Sequence, residues 1–322
     1  MTKVTGLLHD ELGRGFSGRD FISIHDFTTE QIMRVMDVAA LLKAEQKAGV
    51  SHHVLKGKTL GMIFQKASTR TRVSFEVAIW QLGGYGLFLN ANDLQLKRGE
   101  TIADTARVLS RYLDAIMIRT YAHSDVIELA REASIPIVNG LTDLLHPCQV
   151  MADLFTGMEK KGDLKGRKLA YLGDGNNVAH SLMYGGAKMG MHVTCGCPEG
   201  YDPNPSVVEA ARADAAATGA RIEIVRDPRE AVSGADILYT DVWASMGQEH
   251  EHDRRVRDLA SYQLNMDIVD HAKRDCIEMH CLPAHRGEEI TDEVADGAHS
   301  ALWDEAENRL HVQKAILALV MS

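Results

Sequence analysis

The sequence has few cysteines and no long apolar run, and both absences narrow the kind of protein it encodes. Its 322 residues include only five cysteines. An odd and sparse set of thiols argues against a disulfide framework and favours a reducing compartment, so we expect a cytoplasmic protein. No apolar stretch approaches the roughly 20 residues that a bilayer-spanning helix needs, and the amino-terminal segment has neither a signal-peptide nor a transit-peptide pattern. We therefore expect no membrane association.

A net positive charge is also missing. Lys and Arg total 35 against 45 Asp and Glu, which gives a net charge of −10. General nucleic-acid binders need a basic face, so we predict no nucleic-acid partner. The cysteine spacings do not match a zinc site either, because Cys195 and Cys197 are separated by a single residue on a predicted strand. We therefore predict no metal site.

The sequence does contain a regular alternation of short apolar runs with longer amphipathic segments. Predicted strands include "KTLGMIF" (58–64) and "DAIMIRT" (114–120), with helical periodicity between them. The same alternation restarts at "RKLAYLGD" (167–174). Such alternation implies parallel sheets covered by helices on both faces. Two series joined near residue 150 predict an α/β protein with two doubly wound parallel-sheet domains of similar size.

Two helices of this pattern have apolar faces of interest. The helix predicted from Ser68 to about Leu82 carries Val73, Val77 and Trp80 on one face. The carboxy-terminal helix is apolar enough to dock on either domain. Ligands of open parallel sheets bind beyond the carboxyl ends of the strands, so the chemistry is expected where strands give way to helices.

The first such junction carries an unbroken run of hydroxyl and guanidinium side chains, "STRTR". The first turn of a helix has unpaired backbone N–H groups and a partial positive charge. The hydroxyls of Ser68, Thr69 and Thr71 would add donors there. Together with the Arg70 guanidinium they predict a phosphate cradle. A serine N-cap followed by surface arginines is the simpler interpretation, but it does not explain the uninterrupted alternation.

Two more strand ends in the first half carry polar groups. Arg119 emerges from an apolar strand, where it would meet an anion, a carbonyl oxygen or an acidic neighbour. His146 and Gln149, in "HPCQ", lie in a turn before a helix. An imidazole and an amide can both donate to a carbonyl oxygen, although a lone histidine is more often structural.

The second half has three comparable junctions. "GDGNNV" (173–178) lacks the third glycine of a dinucleotide loop, and its Asn177 lies at a helix start. The loop "DVWASMGQE" (241–249) follows a strand. "MHCLPAHRGEEIT" (279–291) places Cys281 at the end of a short apolar run. A cysteine in such a place is more often a small buried residue than a catalytic one.

Together these motifs resemble the aspartate/ornithine transcarbamoylase family. "STRTR" and "HPCQ" are similar to motifs of the whole family, whereas "DVWASMGQE", "HCLPAHRGEE" and "EAENRLH" (305–311) resemble its ornithine carbamoyltransferase branch. The motifs occur in the family's order from about residue 25 to residue 322.

The resemblance implies a reaction and an organisation. The carbamoyl group of carbamoyl phosphate would pass to the δ-amino group of L-ornithine, giving L-citrulline and phosphate. No cofactor or metal would be needed, because phosphate is a good leaving group. A carbamoyl-phosphate-binding domain is expected at 1–150 and an ornithine-binding domain at 151–304, with the active site in the cleft between them and the helix at about 305–322 packing back on the first. The expected assembly is a homotrimer or an assembly of trimers.

The resemblance also implies the residues of the site. Carbamoyl phosphate would be bound by Ser68, Thr69, Arg70, Thr71, Arg119, His146, Gln149, Cys281, Leu282 and Arg309. Ornithine would be bound by Asn177, Asp241, Ser245 and Met246. The catalytic candidates are Arg119 and His146, which with Arg70 would stabilise the oxyanion and the departing phosphate, and Cys281. With Asp241 nearby, Cys281 would orient the amine or accept its proton, and the loop around Gly247 would act as a lid.

Three alternatives stay open. The amine could be putrescine or an acetylated ornithine, but neither would need Asp241 and Asn177 to bind a free amino acid. A nucleotide-binding oxidoreductase is disfavoured by the incomplete glycine pattern. A catalytically silent partner that keeps the fold is disfavoured by the intact "STRTR" motif and Cys281.

Overall fold

The computed structural model describes residues 12–245, 247 and 249–322. The chain divides into two compact units. The first unit contains the described residues up to Cys148 together with Arg309–Ser322, and the second contains Gln149–Asn308. Each unit has its own parallel sheet, which confirms the predicted α/β class.

The first unit is built on a four-stranded parallel sheet in the order β2-β1-β3-β4. Its strands are β1 Thr59–Phe64, β2 Tyr85–Asn90, β3 Ala115–Arg119 and β4 Ile137–Leu141. The helices up to the boundary are α1 Thr29–Lys47, α2 Thr69–Gln81, α3 Ile102–Leu109, α4 His123–Glu132 and the start of α5 Pro147–Lys161, with short 3-10 turns at Ile24–Asp26 and Gln95–Arg98. The strand order reverses between β1 and β3, because β2 lies on one side of this pair and β4 on the other.

The second unit is built on a five-stranded parallel sheet in the order β7-β6-β5-β8-β9. Its strands are β5 Lys168–Leu172, β6 His192–Gly196, β7 Ile222–Val225, β8 Ile237–Thr240 and β9 Ile277–His280. The later helices are α6 Asn177–Met189, α7 Pro205–Thr218, α8 Pro228–Val232, α9 His252–Leu259, α10 Met266–Val269, α11 Asp292–Ala295 and α12 Leu302–Val320, with 3-10 turns at Glu249–Glu251 and Ala260–Tyr262. Here the reversal falls between β5 and β8.

Helix α2 begins as predicted, and the face that it buries is not the face of Val73 and Trp80. Ser68 is its N-cap, and the Ser68 hydroxyl accepts from the backbone N–H of Thr71. The face toward the core is formed by Thr71, Phe75, Ala78 and Ile79. Val73 and Trp80, which share another face, are 51% and 73% exposed. Apolar residues occur all round this helix, and periodicity alone could not select the face that packs on the sheet.

Both sheets have cores of aliphatic side chains. In the first unit, Ile63, Ile116 and Ile118 pack with Ala106 of α3. In the second, the core includes Leu172, Leu238 and the indole of Trp243. None of the described helices combines the length and the apolar character that a membrane-spanning helix requires.

Candidate functional site

The order of strands in the first sheet brings two predicted site segments together. β1 and β3 are parallel neighbours in which Phe64 is paired with Arg119. α2 starts a few residues after β1, and β3 ends at Arg119. The carboxyl ends of both strands therefore carry their polar groups to one edge of the sheet, at the point where the strand order reverses. This is where open parallel sheets bind ligands.

Thr71 is the centre of the polar group at this edge. Its side chain is fully buried, and its Oγ1 accepts from Arg119 Nη1 at 3.3 Å and from Arg309 Nη2 at 2.8 Å. The Ser68 hydroxyl donates to the same oxygen at 3.1 Å. Arg309 comes from α12, almost 240 residues later in the chain. Predicted residues from three distant segments thus meet at one hydroxyl.

His146 is buried beside the same arginines. Its pKa is lowered well below the ordinary 6.5, first by burial and then by the positive charges of Arg309, Arg119 and Arg70. The imidazole is therefore neutral near pH 7 and can donate one N–H while its other nitrogen accepts. The guanidiniums of Arg119 and Arg309 around this imidazole are buried, and that of Arg70 is half-buried. Such a group favours an anion, because the like charges repel each other unless a negative charge joins them.

Two other predicted phosphate ligands lie differently. Thr69 is the first residue of α2, and it is exposed. Gln149 lies in the second unit, where its Nε2 donates to Asp153 Oδ1 at 2.8 Å and to Glu305 Oε1 at 2.7 Å. Its role toward carbamoyl phosphate stays a prediction.

Gln149 belongs to a buried acidic cluster that sequence reasoning missed. Burial and the neighbouring carboxylate of Glu305 raise the pKa of Asp153 well above its ordinary value. Glu305 accepts from the Tyr239 hydroxyl at 3.0 Å and from the backbone N–H of His280 at 2.9 Å. The first glutamate of "EAENRLH" therefore anchors the end of β9, one residue before Cys281.

The second sheet assembles a different group at its own reversal point. Thr240 of β8 is paired with His280 of β9, so the next residues, Asp241 and Cys281, leave the sheet side by side. Cys281 Sγ donates to Asp241 Oδ1 at 3.0 Å. Asn176, which follows β5, donates from Nδ2 to Asp241 Oδ2 at 2.7 Å. The carboxylate is therefore held on both oxygens.

Cys281 is a thiol at neutral pH. Burial raises its pKa well above the ordinary 9.0, and the nearby charge of Asp241 raises it further. A thiol can donate to the carboxylate but cannot serve as a thiolate nucleophile or as a strong base. The predicted alternative in which Cys281 accepts the proton of the amine is therefore disfavoured, and the alternative in which it orients the amine is favoured.

The backbone after Cys281 is held by a buried pair. Leu282 has a positive φ of 57°, which is unusual for a residue with a branched side chain. Its N–H donates to His280 Nδ1 at 2.8 Å, so His280 carries its proton on Nε2 and donates to Glu289 Oε1 at 2.9 Å. His280 and Glu289 are both buried. This pair fixes the turn at Leu282, and nothing in the sequence indicated it apart from the position of His280 beside Cys281.

The residues predicted to bind the amino acid lie close to this group along the chain. Asn177 begins α6, but it is the preceding Asn176 that contacts Asp241 and also accepts from the N–H groups of Val178 and Ala179 as the N-cap. Ser245 is half-buried in the loop after β8. Met246 lies outside the described residues. Gly247 has a φ of 97°, a conformation that favours glycine, and the role of its loop as a lid stays a prediction.

Arg255 of α9 braces this loop and was not predicted. Its Nη1 donates to Asp174 Oδ2 at 2.7 Å and to the carbonyl oxygen of Trp243 at 3.0 Å, and its Nε donates to Glu251 Oε2 at 2.9 Å. Burial raises the pKa of Asp174, whereas the Arg255 charge lowers it. One guanidinium thus ties the loop after β5 to the loop after β8. "RRVRD" (254–258) looks like an ordinary charged helix face, which is why it gave no signal.

The donors around Asp241 are already committed to hydrogen bonds. Asp241, His280 and Cys281 each offer one potential metal ligand within 4.8 Å of the others. His280 nevertheless uses both ring nitrogens, for Leu282 and for Glu289. Gly175 of "GDGNN" is explained by packing rather than by a phosphate, because a Cβ there would collide with the backbone of Pro203.

Comparison with known proteins matches each half of the chain to a different model of one family. Residues 19–159 match the family model described as the aspartate/ornithine carbamoyltransferase carbamoyl-P binding domain. Residues 165–320 match the model described as the Asp/Orn binding domain of the same family.

Curated relatives cover nearly the whole chain. An ornithine carbamoyltransferase of Symbiobacterium thermophilum is 60% identical over 305 residues, covering 95% of this chain and 98% of the relative. One of Thermococcus kodakarensis is 58% identical over 305 residues, covering 95% and 97%. The solved structure of the Pyrococcus furiosus ornithine carbamoyltransferase is 58% identical, covers 95% of this chain and 97% of its own, and superposes with a TM-score of 0.92. The family predicted from the motifs is confirmed, and the chain belongs to the aspartate/ornithine carbamoyltransferase family.

Proposed function

We propose that this protein is an ornithine carbamoyltransferase, which transfers the carbamoyl group of carbamoyl phosphate to the δ-amino group of L-ornithine and releases L-citrulline and phosphate. The observation that carries the proposal is the group in which Asp241 is held by Asn176 and Cys281. A fixed carboxylate at a strand end suits the α-ammonium group of a free amino acid. Relatives of about the same length named ornithine carbamoyltransferase support the same choice.

The first unit would bind carbamoyl phosphate. Ser68, Thr69 and Thr71 offer hydroxyls and backbone N–H groups at the start of α2, where the helix dipole favours an anion. Arg70, Arg119 and Arg309 would neutralise the phosphate oxygens. His146 is neutral, so its N–H would polarise the carbamoyl carbonyl without adding a charge. Gln149, Cys281 and Leu282 are proposed to complete the contacts with the carbamoyl group.

The second unit would bind ornithine. Asp241 would take the α-ammonium group, while Asn177, Ser245 and Met246 would contact the rest of the amino acid. The attacking δ-amine has an ordinary pKa of about 10.4, as in lysine, and it must lose a proton before it can attack. A desolvated site lowers that pKa.

The reaction would then follow from the charges. The neutral δ-amine forms a bond to the carbonyl carbon, and the carbon–oxygen bond to phosphate breaks. Because the Cys281 thiol is itself protonated, it would orient the amine through its lone pairs while donating to Asp241. The proton of the amine would leave with the phosphate group or to solvent. Arg119 and His146 would stabilise the oxyanion that forms on the way.

We further propose that the protein is a homotrimer, alone or as a unit of a larger assembly, and that it works in the cytoplasm. The support for self-association is an exposed apolar face on α2 and the edge strand β2. Val73, Trp80 and Tyr85 are 51%, 73% and 64% exposed there. Such a face usually marks a protein interface. Light scattering of the purified protein in solution would give the molar mass of the assembly, and the mass of a monomer would contradict the proposal.

The direct test of the activity is citrulline formation by the purified protein from carbamoyl phosphate and L-ornithine, run beside putrescine and N-acetylornithine. We expect turnover with ornithine alone. Turnover with another amine would retain the phosphate site and contradict the role given to Asp241. No turnover with any amine would favour a silent partner that keeps the fold.

A further inference from the structure

The second unit holds a cluster of metal-ligating side chains apart from the Asp241–Cys281 group. His252 is the first residue of α9, and His285 and Glu288 lie in the segment that follows β9. One potential ligand atom from each lies within 4.8 Å of the other two. We propose that His252, His285 and Glu288 form a binding site for one divalent transition-metal ion, with zinc as the best fit. The proposal is independent of the reaction proposed above.

The distances suit a single ion. His252 Nε2 lies 3.1 Å from Glu288 Oε2, and His285 Nδ1 lies 3.6 Å from the same oxygen. Two ligand atoms at zinc bond lengths of about 2.0–2.1 Å and tetrahedral angles are about 3.3 Å apart. Small rotations of exposed side chains would therefore bring all three atoms to bonding distance from one centre.

The donor set selects the class of ion. Two imidazoles and one carboxylate are a common ligand set for zinc and other late first-row metals, whereas magnesium and calcium prefer oxygen ligands alone. Three protein ligands leave a fourth position for water. The side chains of His252, His285 and Glu288 are 38%, 44% and 29% exposed, so an ion can reach them from solvent.

A purely hydrogen-bonded cluster explains the arrangement less well. His252 Nε2 lies 3.2 Å from Oε1 and 3.1 Å from Oε2 of Glu288. His285 Nδ1 lies 3.6 Å from the same Oε2, which is too long for a hydrogen bond but close to the separation of two ligands of one ion. Asp253, whose Oδ1 lies 3.3 Å from His252 Nδ1, adds a negative charge to the same surface and favours a cation further.

An ion here would join two segments that border the Asp241–Cys281 group. α9 follows the loop of Ser245 and Gly247. On the other side, Glu288 precedes the buried Glu289, which accepts from His280 and from the backbone N–H of His285 at 2.6 Å. The ion would therefore sit on the outer side of a segment whose inner side holds the turn at Leu282. No cysteine takes part, which is why cysteine spacing could not reveal the site.

The test is calorimetric titration of zinc chloride into the full-length, tag-free protein after treatment with a chelator. His252→Asn, His285→Asn and Glu288→Gln remove one ligand each from half-exposed positions. His271→Asn, which removes an exposed imidazole whose Nδ1 lies 2.8 Å from the carbonyl oxygen of Asp267, is the matched control. Cys281→Ser separates this site from the Asp241–Cys281 group.

We expect one zinc equivalent that each of the three ligand variants loses or binds at least about tenfold more weakly, while His271→Asn and Cys281→Ser retain it. Cobalt bound in its place should show tetrahedral d–d absorption without a thiolate charge-transfer band, and zinc should raise the melting temperature of the wild type but not of His252→Asn. The proposal is overturned if the wild type binds no zinc, if the ligand variants titrate like the wild type, or if Cys281→Ser abolishes all binding.

Discussion

The two units gather polar side chains at the same topological place but with opposite chemistry. In each sheet the strand order reverses once, between β1 and β3 in the first unit and between β5 and β8 in the second. The first reversal point collects guanidinium groups around Thr71 and the neutral His146. The second collects a carboxylate, an amide and a thiol at Asp241.

This difference separates what the fold supplies from what the side chains supply. Parallel neighbours with paired last residues, such as Thr240 and His280, bring the next residues together whatever their chemistry. The identity of those residues then decides whether the place suits a phosphate or an ammonium group. The same backbone arrangement can therefore serve two substrates of opposite charge in one chain.

The largest effect is expected from removing a charge at the first reversal point. Arg119→Met should lower kcat/KM for carbamoyl phosphate by about 10³-fold, because a guanidinium that donates to Thr71 and is proposed to bind the phosphate is lost from a buried site. Steady-state kinetics with each substrate varied would measure it. Arg131→Met, at an arginine whose side chain is 68% exposed in the same unit, should leave the kinetics unchanged. A loss below tenfold in Arg119→Met would argue against a phosphate role.

Asp241→Asn should have the next largest effect, on the other substrate. Replacing the carboxylate by an amide of the same shape keeps an oxygen for Cys281 but removes the charge that would hold the α-ammonium group. We expect kcat/KM for ornithine to fall about 10²-fold. Asp275→Asn, at an exposed carboxylate paired with Lys161, is the control. An unchanged KM and kcat for ornithine would remove Asp241 from the site.

Cys281→Ala should lower kcat or ornithine affinity by on the order of 10- to 100-fold, equivalent to losing one hydrogen bond to a charged group. Carbamoyl-phosphate binding should be largely retained. In the wild type, iodoacetamide should modify Cys281 slowly until the pH exceeds 9.0, because the thiol pKa is raised. Rapid alkylation near pH 7 would mean a thiolate, and unchanged kinetics of Cys281→Ala would exclude the residue from the mechanism.

Sequence reasoning found most of this site because strand ends can be read from apolar runs. Asp241 and Cys281 follow such runs directly, Arg119 ends one, and "STRTR" begins a few residues after another. It named Asn177 but not Asn176, since the contact with Asp241 depends on which residue becomes the N-cap of α6. Nor could it find Glu305 under β9, because tertiary packing alone brings α12 to that strand end. Nor could it tell which apolar face of α2 is buried, since Val73 and Trp80 are as apolar as the buried residues.

Arg255→Met tests how tightly the second reversal point must be held. Its loss would free the loop after β8 from Asp174 and should raise KM for ornithine about three- to tenfold, with a smaller change in kcat. Arg255→Lys should recover part of the effect, because an ammonium can still pair with Asp174. Equal losses of kcat and stability, without a change in KM, would indicate a purely structural role.

The smallest effect concerns the free energy of unfolding in acid, to which His52 of the first unit should contribute. His52 is buried with its pKa lowered from 6.5 to about 4, chiefly by burial and then by the charge of Lys314. Between these values the unfolded chain takes up a proton that the folded chain does not, so stability should fall as the pH is lowered through this window. Urea unfolding of the full chain would show a shallower pH dependence for His52→Gln. An identical slope in both proteins would contradict the assignment.

Each reversal point is proposed to bind its own substrate. Titrating carbamoyl phosphate, kept cold, into wild type, Arg119→Met and Asp241→Asn measures this by calorimetry without any turnover. We expect Asp241→Asn to bind carbamoyl phosphate like the wild type and Arg119→Met to lose this binding. Equal losses in both variants, or retention in Arg119→Met, would contradict the division of the two substrates between the two units.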